Sequence, residues 1–179
     1  FTERRYQAPL AVELAKRGAV VFLVAYRGMS TGSYSDQDSW SDARCAIRYA
    51  RAHAEDYGGD PSRVVVVGHS QGGLMGLDIA LHPEEEAEAC LAGGSAIPNG
   101  VIALGSPRPS LHGAAESAPP MWLYSGSEDT IAGNWAEELR HRGFDAEAQV
   151  LPGVTHDGIT DPFAAPEIVD LIVEALESI

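Results

Sequence analysis

Cysteine, basic residues and long apolar runs are all scarce in this sequence. Its 179 residues include 2 cysteines, and 12 Lys and Arg residues stand against 26 Asp and Glu residues. The resulting net charge of −14 would repel nucleic acid and anionic membrane surfaces, so we expect neither as a partner. No stretch is apolar over a length that would span a bilayer. These shortages argue against two partner classes and leave the others open.

Two cysteines are too few for a disulfide framework, and their surroundings do not indicate a pair. Cys45 lies in a helical pattern that favours a small core residue, and Cys90 follows an acidic, alanine-rich run. We therefore expect no bridge between them. No signal peptide is visible, but the chain starts with Phe1 rather than Met. The compartment stays open, with the cytoplasm slightly favoured over secretion, and the oligomeric state is equally open.

Helical and strand patterns alternate regularly along the chain. Amphipathic or helix-forming stretches predict helices over residues 6–17, 39–57, 74–82, 134–141 and 166–179. Apolar runs predict strands over residues 19–25, 64–67, 101–104, 121–124 and 146–151. Strands of this kind between helices predict an α/β fold with a mostly parallel sheet flanked by helices. We expect a single domain over residues 1–179, in which residues 105–120 are too short for a helical lid domain.

A run of four valines leads directly into the motif Gly68-His69-Ser70-Gln71-Gly72. A buried strand, Gly-x-Ser-x-Gly and then a helix form the context of a nucleophile elbow, in which a strained tight turn exposes the serine hydroxyl. The motif alone is a weak signal in a chain with 19 glycines, and a glycine-rich turn that only packs tightly is the plain alternative. The strand before it and the helix after it make Ser70 a candidate nucleophile.

A serine nucleophile needs a base to take its proton and a carboxylate to orient that base. Asp129 follows the strand predicted at 121–124, and His156 follows the last predicted strand. Because parallel strands end at one edge of the sheet, both side chains are expected near Ser70. The order Ser, Asp, His matches that of this elbow type. Glu128 is the weaker alternative for the acid.

These motifs resemble the α/β-hydrolase family over almost the whole chain, and most closely its small serine esterases of the carboxylesterase, feruloyl-esterase-like and kynurenine-formamidase-like type. The lead-in at residues 57–63 and the Gly-x-x-Asp turn at residues 126–129 are similar to theirs. The resemblance implies hydrolysis of carboxylic esters with small or medium acyl groups through an acyl-enzyme. No metal or organic cofactor is expected, because the mechanism requires none and the histidines show no ligand spacing.

The oxyanion hole is where the sequence departs from this family. One donor is expected from the backbone N–H of Gln71, directly after the nucleophile. The loop that supplies the second donor, often His-Gly-Gly, is absent, but Phe1 and Tyr6 match the Phe-x-x-x-x-Tyr spacing that often follows it. Phe1 or Thr2 is therefore the candidate second donor. We expect further N-terminal strands and the oxyanion loop upstream of these residues.

The loop from Met29 to Trp40 is the candidate wall of a substrate pocket, with Met29, Tyr34 and Trp40 as apolar contacts. His69, inside the elbow, is a further candidate for substrate binding, with its ring expected to point away from the serine hydroxyl. Arg27 and Arg108 are candidates to meet an acidic substrate group.

Two other functions stay open. Residues 26–32 also resemble prolyl-oligopeptidase-like peptidases, which predicts a peptidase or amidase, and a non-catalytic binding module of the same fold is possible.

Overall fold

The computed structural model describes residues 3–28, 36–83, 90–130 and 135–179. Its α-helices in these ranges are α1 (Glu3–Lys16), α2 (Asp36–His53), α3 (Gln71–Leu81), α4 (Ala136–His141) and α5 (Glu167–Glu177). Its strands there are β1 (Val65–His69), β2 (Gly100–Leu104), β3 (Met121–Gly126) and β4 (Ala146–Leu151). Short 3₁₀-helices span Glu55–Tyr57 and Gly158–Thr160. No helix within the described ranges combines the length and the apolar character needed to cross a membrane.

The four described strands form one parallel sheet in the order β1-β2-β3-β4. Side chains alternate between the two faces of a strand. In β2, Ile102 and Leu104 pack against α1 and α5 on one face, whereas Val101 and Ala103 pack against α3 and α4 on the other. Helices therefore cover both faces, which is why the central strand β2 is buried over its whole length, whereas β4, at the end of the described strand order, includes Glu147 and Gln149. The predicted α/β fold with a parallel sheet is confirmed, and residues 105–120 contain no helix.

The strand predicted at residues 19–25 does not form. These residues have no regular secondary structure, and the apolar side chains of Val20, Val21, Leu23 and Val24 are 38–43% exposed. A strand is defined by hydrogen bonds to a neighbouring strand, and no described strand lies beside this segment. An apolar run predicts which side chains prefer burial, but it does not supply the neighbour.

Cys45 and Cys90 form a disulfide, so the expectation of two free thiols was wrong. The two Cα atoms lie 5.5 Å apart, within the range that a disulfide spans. The bridge joins the middle of α2 to the connection that leads from α3 to β2. The prediction failed because it considered each cysteine in its local sequence, whereas packing brings together residues 45 positions apart.

Replacing both cysteines by serine should lower the free energy of unfolding by about 4 kcal/mol. The bridge closes a loop of 45 residues, and the chain-entropy relation assigns a loop of that length a stabilisation of this size. Denaturation by urea, with and without reductant, measures the difference. Reduced wild-type protein should match the Cys45→Ser/Cys90→Ser variant. A wild-type unfolding midpoint that does not respond to reductant would show that the bridge is absent in solution.

Candidate active site

The carboxyl ends of the strands are joined by backbone hydrogen bonds at one edge of the sheet. Ser70 N–H donates to the carbonyl of Leu104 at 2.8 Å, which fixes the turn after β1 against β2. Gly105 N–H donates in the same way to Tyr124, and Ser127 N–H donates to the carbonyl of Leu151. Each segment that follows a strand is therefore held against its neighbour. This edge is where open α/β sheets place their ligands.

Ser70 stands in a strained turn between β1 and α3. Its φ of 53° and ψ of −118° make it the one non-glycine residue with positive φ in the described part of the chain. Such a conformation persists only where the surroundings enforce it, and it is concentrated at functional sites. The strained turn matches the expectation for a nucleophile elbow.

This turn depends on Gly68 and Gly73, whereas the Gly-x-Ser-x-Gly motif suggests Gly68 and Gly72. A Cβ on Gly68 would overlap the carbonyl group of Gly72, and one on Gly73 would lie 2.9 Å from the carbonyl oxygen of Gly68. Gly72 itself has open space where its side chain would be. The close contact between strand and helix therefore depends on Gly68 and Gly73.

Asp129 and His156, both predicted from sequence, lie in direct contact. Asp129 Oδ2 is 2.8 Å from His156 Nδ1, and the carboxylate side chain is 0% exposed. Because a carboxylate only accepts, Nδ1 carries the proton, and Nε2 of the neutral ring is left with its lone pair. Among the described residues, the Ser70 hydroxyl makes no hydrogen bond. The hydrogen bond between a catalytic serine and its base is often long before substrate is bound.

Gly105 lies directly against the Asp129–His156 pair. The sequence had not singled this residue out. A Cβ at this position would lie 2.9 Å from Asp129 Oδ2 and 3.0 Å from His156 Nδ1. Its φ of 56° is also in the left-handed region. The available signal was a glycine directly after the strand that neighbours the elbow strand. Only a residue without a side chain lets the acid and the base meet here.

The Gly105→Ala variant should lose about 100-fold in kcat for a p-nitrophenyl ester, because the methyl group displaces the Asp129–His156 pair by a large fraction of an ångström. Gly113→Ala is the matched control. Gly113 also has positive φ, at 74°, but nothing lies within 4 Å of its Cβ position. Both variants should lose stability in thermal melts through backbone strain, Gly105→Ala more because it adds a close contact, whereas Gly113→Ala should keep its activity. Equal activity losses would show that backbone strain, not displacement, is responsible.

Arg27 anchors the segment that enters the predicted pocket loop, and it does not stand free for a substrate. Its guanidinium pairs with Asp38 and Asp42, and its backbone N–H also donates to Asp42. Hydrogen bonds from Arg27 hold the pKa of Asp42 below its usual value. Arg108, the other predicted arginine, is paired with Glu138. Both guanidinium groups are therefore engaged within the protein.

The remaining predicted site residues fall into two groups. Gln71 is the first residue of α3, so its backbone N–H has no intrahelical acceptor. Trp40 lies half-buried in α2, and the His69 ring contacts His156. The other predicted oxyanion and pocket residues lie outside the described residues: Phe1, Thr2, Met29 and Tyr34.

One group of side chains in the described ranges could hold a metal ion. Ligand atoms of His69, His156 and Asp157 lie within 4.8 Å of one another. Both imidazoles already use one nitrogen, because His156 Nδ1 is bound to Asp129 and His69 Nε2 is bound to the carbonyl of His156. A metal ion could therefore reach His156 only through Nε2, since Nδ1 is bound to Asp129.

The model of the BD-FAE family matches residues 2–95, which include the candidate nucleophile and its elbow. The chain belongs to the BD-FAE family. Solved structures show the same fold. The Thermogutta terrifontis esterase Est2, in its propionate-bound form, has a TM-score of 0.79 at 23% identity, over 98% of this chain and 77% of that chain. The acetyl ester-xyloside bifunctional hydrolase of Caldicellulosiruptor lactoaceticus has a TM-score of 0.75 at 20% identity, over 95% and 75%.

Curated relatives of this BD-FAE chain match it either over a short segment or over a longer segment at lower identity. The probable carboxylic ester hydrolase LipM of Mycobacterium tuberculosis is 32% identical over 87 residues, 46% of this chain and 19% of that protein. The multifunctional-autoprocessing repeats-in-toxin of Vibrio vulnificus is 26% identical over 149 residues, 80% of this chain but 3% of that protein. The matched segments are thus small parts of these relatives. The resemblance to α/β-hydrolase esterases drawn from the sequence is confirmed for family and fold.

Proposed function

We propose that this protein is a serine esterase that hydrolyses carboxylic esters with small or medium acyl groups. The observation that carries the proposal is the contact between the buried Asp129 carboxylate and His156 at the sheet edge where Ser70 stands in its strained turn. A carboxylate that orients an imidazole towards a serine hydroxyl is the arrangement that activates that hydroxyl for attack on an acyl carbonyl.

In the proposed reaction, His156 Nε2 takes the proton of the Ser70 hydroxyl as Ser70 Oγ attacks the ester carbonyl carbon. The tetrahedral intermediate then expels the alcohol, which receives that proton, and leaves an acyl group on Ser70. His156 next takes a proton from water, the resulting hydroxide attacks the acyl-enzyme, and the proton returns to Ser70 Oγ as the acid leaves. Asp129 keeps the proton of His156 on Nδ1 and stabilises the imidazolium in both halves.

Developing negative charge on the substrate oxygen requires hydrogen-bond donors aimed at it. The backbone N–H of Gln71, at the free N-terminal end of α3, is the proposed first donor. Phe1 or Thr2 is the proposed source of the second donor. Met29, Tyr34 and Trp40 are proposed to contact the substrate, as the large apolar side chains of the Met29–Trp40 stretch.

The names of the relatives support an ester as the substrate class. Three of the proteins above are named as esterases or as hydrolases of esters, and the Thermogutta enzyme has been solved with propionate and with butyrate bound. Short acyl groups of that size are the proposed substrates here. None of these names favours a peptidase. The disulfide supports an oxidising compartment rather than the cytoplasm.

Covalent labelling tests the nucleophile directly. Incubation with a fluorophosphonate should add one phosphonyl group per chain, and peptide mapping by mass spectrometry should place it on Ser70. The Thermogutta esterase is described as phosphorylated by paraoxon, which is, like a fluorophosphonate, an electrophilic organophosphorus compound. The Ser70→Ala variant should remain unlabelled under identical conditions. A chain that stays unmodified, or that carries the group elsewhere, would contradict the proposal.

A further inference from the structure

His69 links the nucleophile segment to the loop that carries His156. It is the last residue of β1 and directly precedes Ser70, and its Nε2 lies 2.9 Å from the backbone carbonyl oxygen of His156. The contact spans 87 positions of sequence. A carbonyl oxygen can only accept a hydrogen bond, so His69 Nε2 carries the proton and acts as the donor.

The His69 ring also packs against the ring of His156. Their centroids are 4.6 Å apart at an interplanar angle of 44°. The imidazole of His156 is thus bound to Asp129 through Nδ1, lies close to Gly105 and packs against the His69 ring. A residue that only lined the substrate pocket would have no need of a hydrogen bond to the backbone of His156.

The charge state of His69 suits this position. Burial lowers the pKa of His69 below its usual value, which favours the neutral ring. The groups that face it are His156 and the carboxylates of Asp129 and Asp157. A neutral ring does not oppose the positive charge that His156 acquires when it takes the serine proton, whereas a second cation at this distance would.

We propose that His69 is a positioning residue, whose Nε2–H holds the backbone of His156 and thereby the orientation of that imidazole. This role rests on the proposed function, because it matters only if His156 is the base for Ser70. It replaces the role in substrate binding that the sequence suggested. Positioning errors of about 1 Å in a catalytic group are enough to lower rates by two orders of magnitude.

The decisive comparison is between His69→Phe, which keeps a ring and loses the donor, and His69→Gln, whose amide can replace the Nε2 donor. His69→Phe should lower kcat for p-nitrophenyl acetate by about 10- to 100-fold with KM changed less than twofold. Its inactivation by a fluorophosphonate should slow by the same factor. His69→Gln should recover most of the lost kcat. A change confined to KM, or a Gln variant no better than Phe, would overturn the positioning role.

His82→Phe is the matched control, since His82 Nε2 also bonds to a backbone carbonyl, that of His112, away from Ser70. Its kcat should equal that of the wild type.

If His69→Phe does not fold, ¹⁵N-histidine NMR of the wild-type protein still tests the contact. His69 should be neutral with its proton on Nε2, and the Nδ1–H tautomer would refute the hydrogen bond. If wild-type Ser70 is not labelled, the proposed function fails; if labelling and hydrolysis are normal and His69→Phe is unaffected, only the positioning role fails.

Discussion

The Ser70→Ala variant is expected to lose a factor on the order of 10⁶ in kcat for p-nitrophenyl acetate. Removal of the hydroxyl abolishes the acyl-enzyme route, and what remains is the direct attack of water assisted by binding and by oxyanion donors. Stability should change little, because Ser70 is only half-buried and its hydroxyl makes no hydrogen bond in the described part of the chain. The measurement is the steady-state rate of both proteins at equal concentration, with unfolding midpoints recorded alongside.

Ser178→Ala is the control for this experiment. Ser178 is exposed and follows α5, and its hydroxyl bonds only to the carbonyl of Ala175 within the described structure. It should keep wild-type kcat and KM, which shows that loss of a serine hydroxyl as such is harmless. A Ser70→Ala protein with more than a tenth of wild-type activity would remove Ser70 from the mechanism.

The second large effect is expected for Asp129→Asn, at about 10⁴-fold in kcat. Asparagine preserves the shape of the buried carboxylate, but its amide group can donate to His156 Nδ1. His156 Nδ1 must then accept, the ring proton moves to Nε2, and that nitrogen can no longer take the proton of Ser70. The loss should therefore appear in kcat and in the rate of fluorophosphonate labelling, with KM little changed.

Glu128→Gln provides the control and also tests the alternative acid. Glu128 precedes Asp129 in the same turn, but its side chain is exposed and only the carboxylate of Asp129 reaches His156. Glu128→Gln should retain wild-type activity. If Glu128→Gln, and not Asp129→Asn, abolished hydrolysis, the acid would have been assigned to the wrong neighbour.

Much of the candidate site was accessible from sequence because each of its residues lies within a few positions of the carboxyl end of a strand. The valine run and its glycines predicted the elbow at Ser70, and the strands before Asp129 and His156 placed both at the same sheet edge. The parallel topology then brings together the carboxyl ends of strands that are far apart in the chain. The Asp129–His156 contact follows from this rule.

Other features of the site could not be read from any local pattern. Gly105 matters because two side chains from other segments approach its Cα, and the contact of His69 with His156 crosses the sheet edge. Arg27 looked free for a substrate, yet α2 supplies its carboxylate partners. In each case the partner is distant in sequence, so that the residue type alone left several roles open.

The sequence by itself determined the alternation of helices and strands, the parallel sheet and the residues that end its strands. These features depend on periodicity, on apolar runs and on glycine, which act over a few neighbouring residues. Only the tertiary structure decided that Cys45 and Cys90 are bonded, that residues 19–25 form no strand and that Gly105 underlies the Asp129–His156 pair. A disulfide, a strand pairing and a close approach each require a second segment, and chain folding, not local preference, determines which segment arrives.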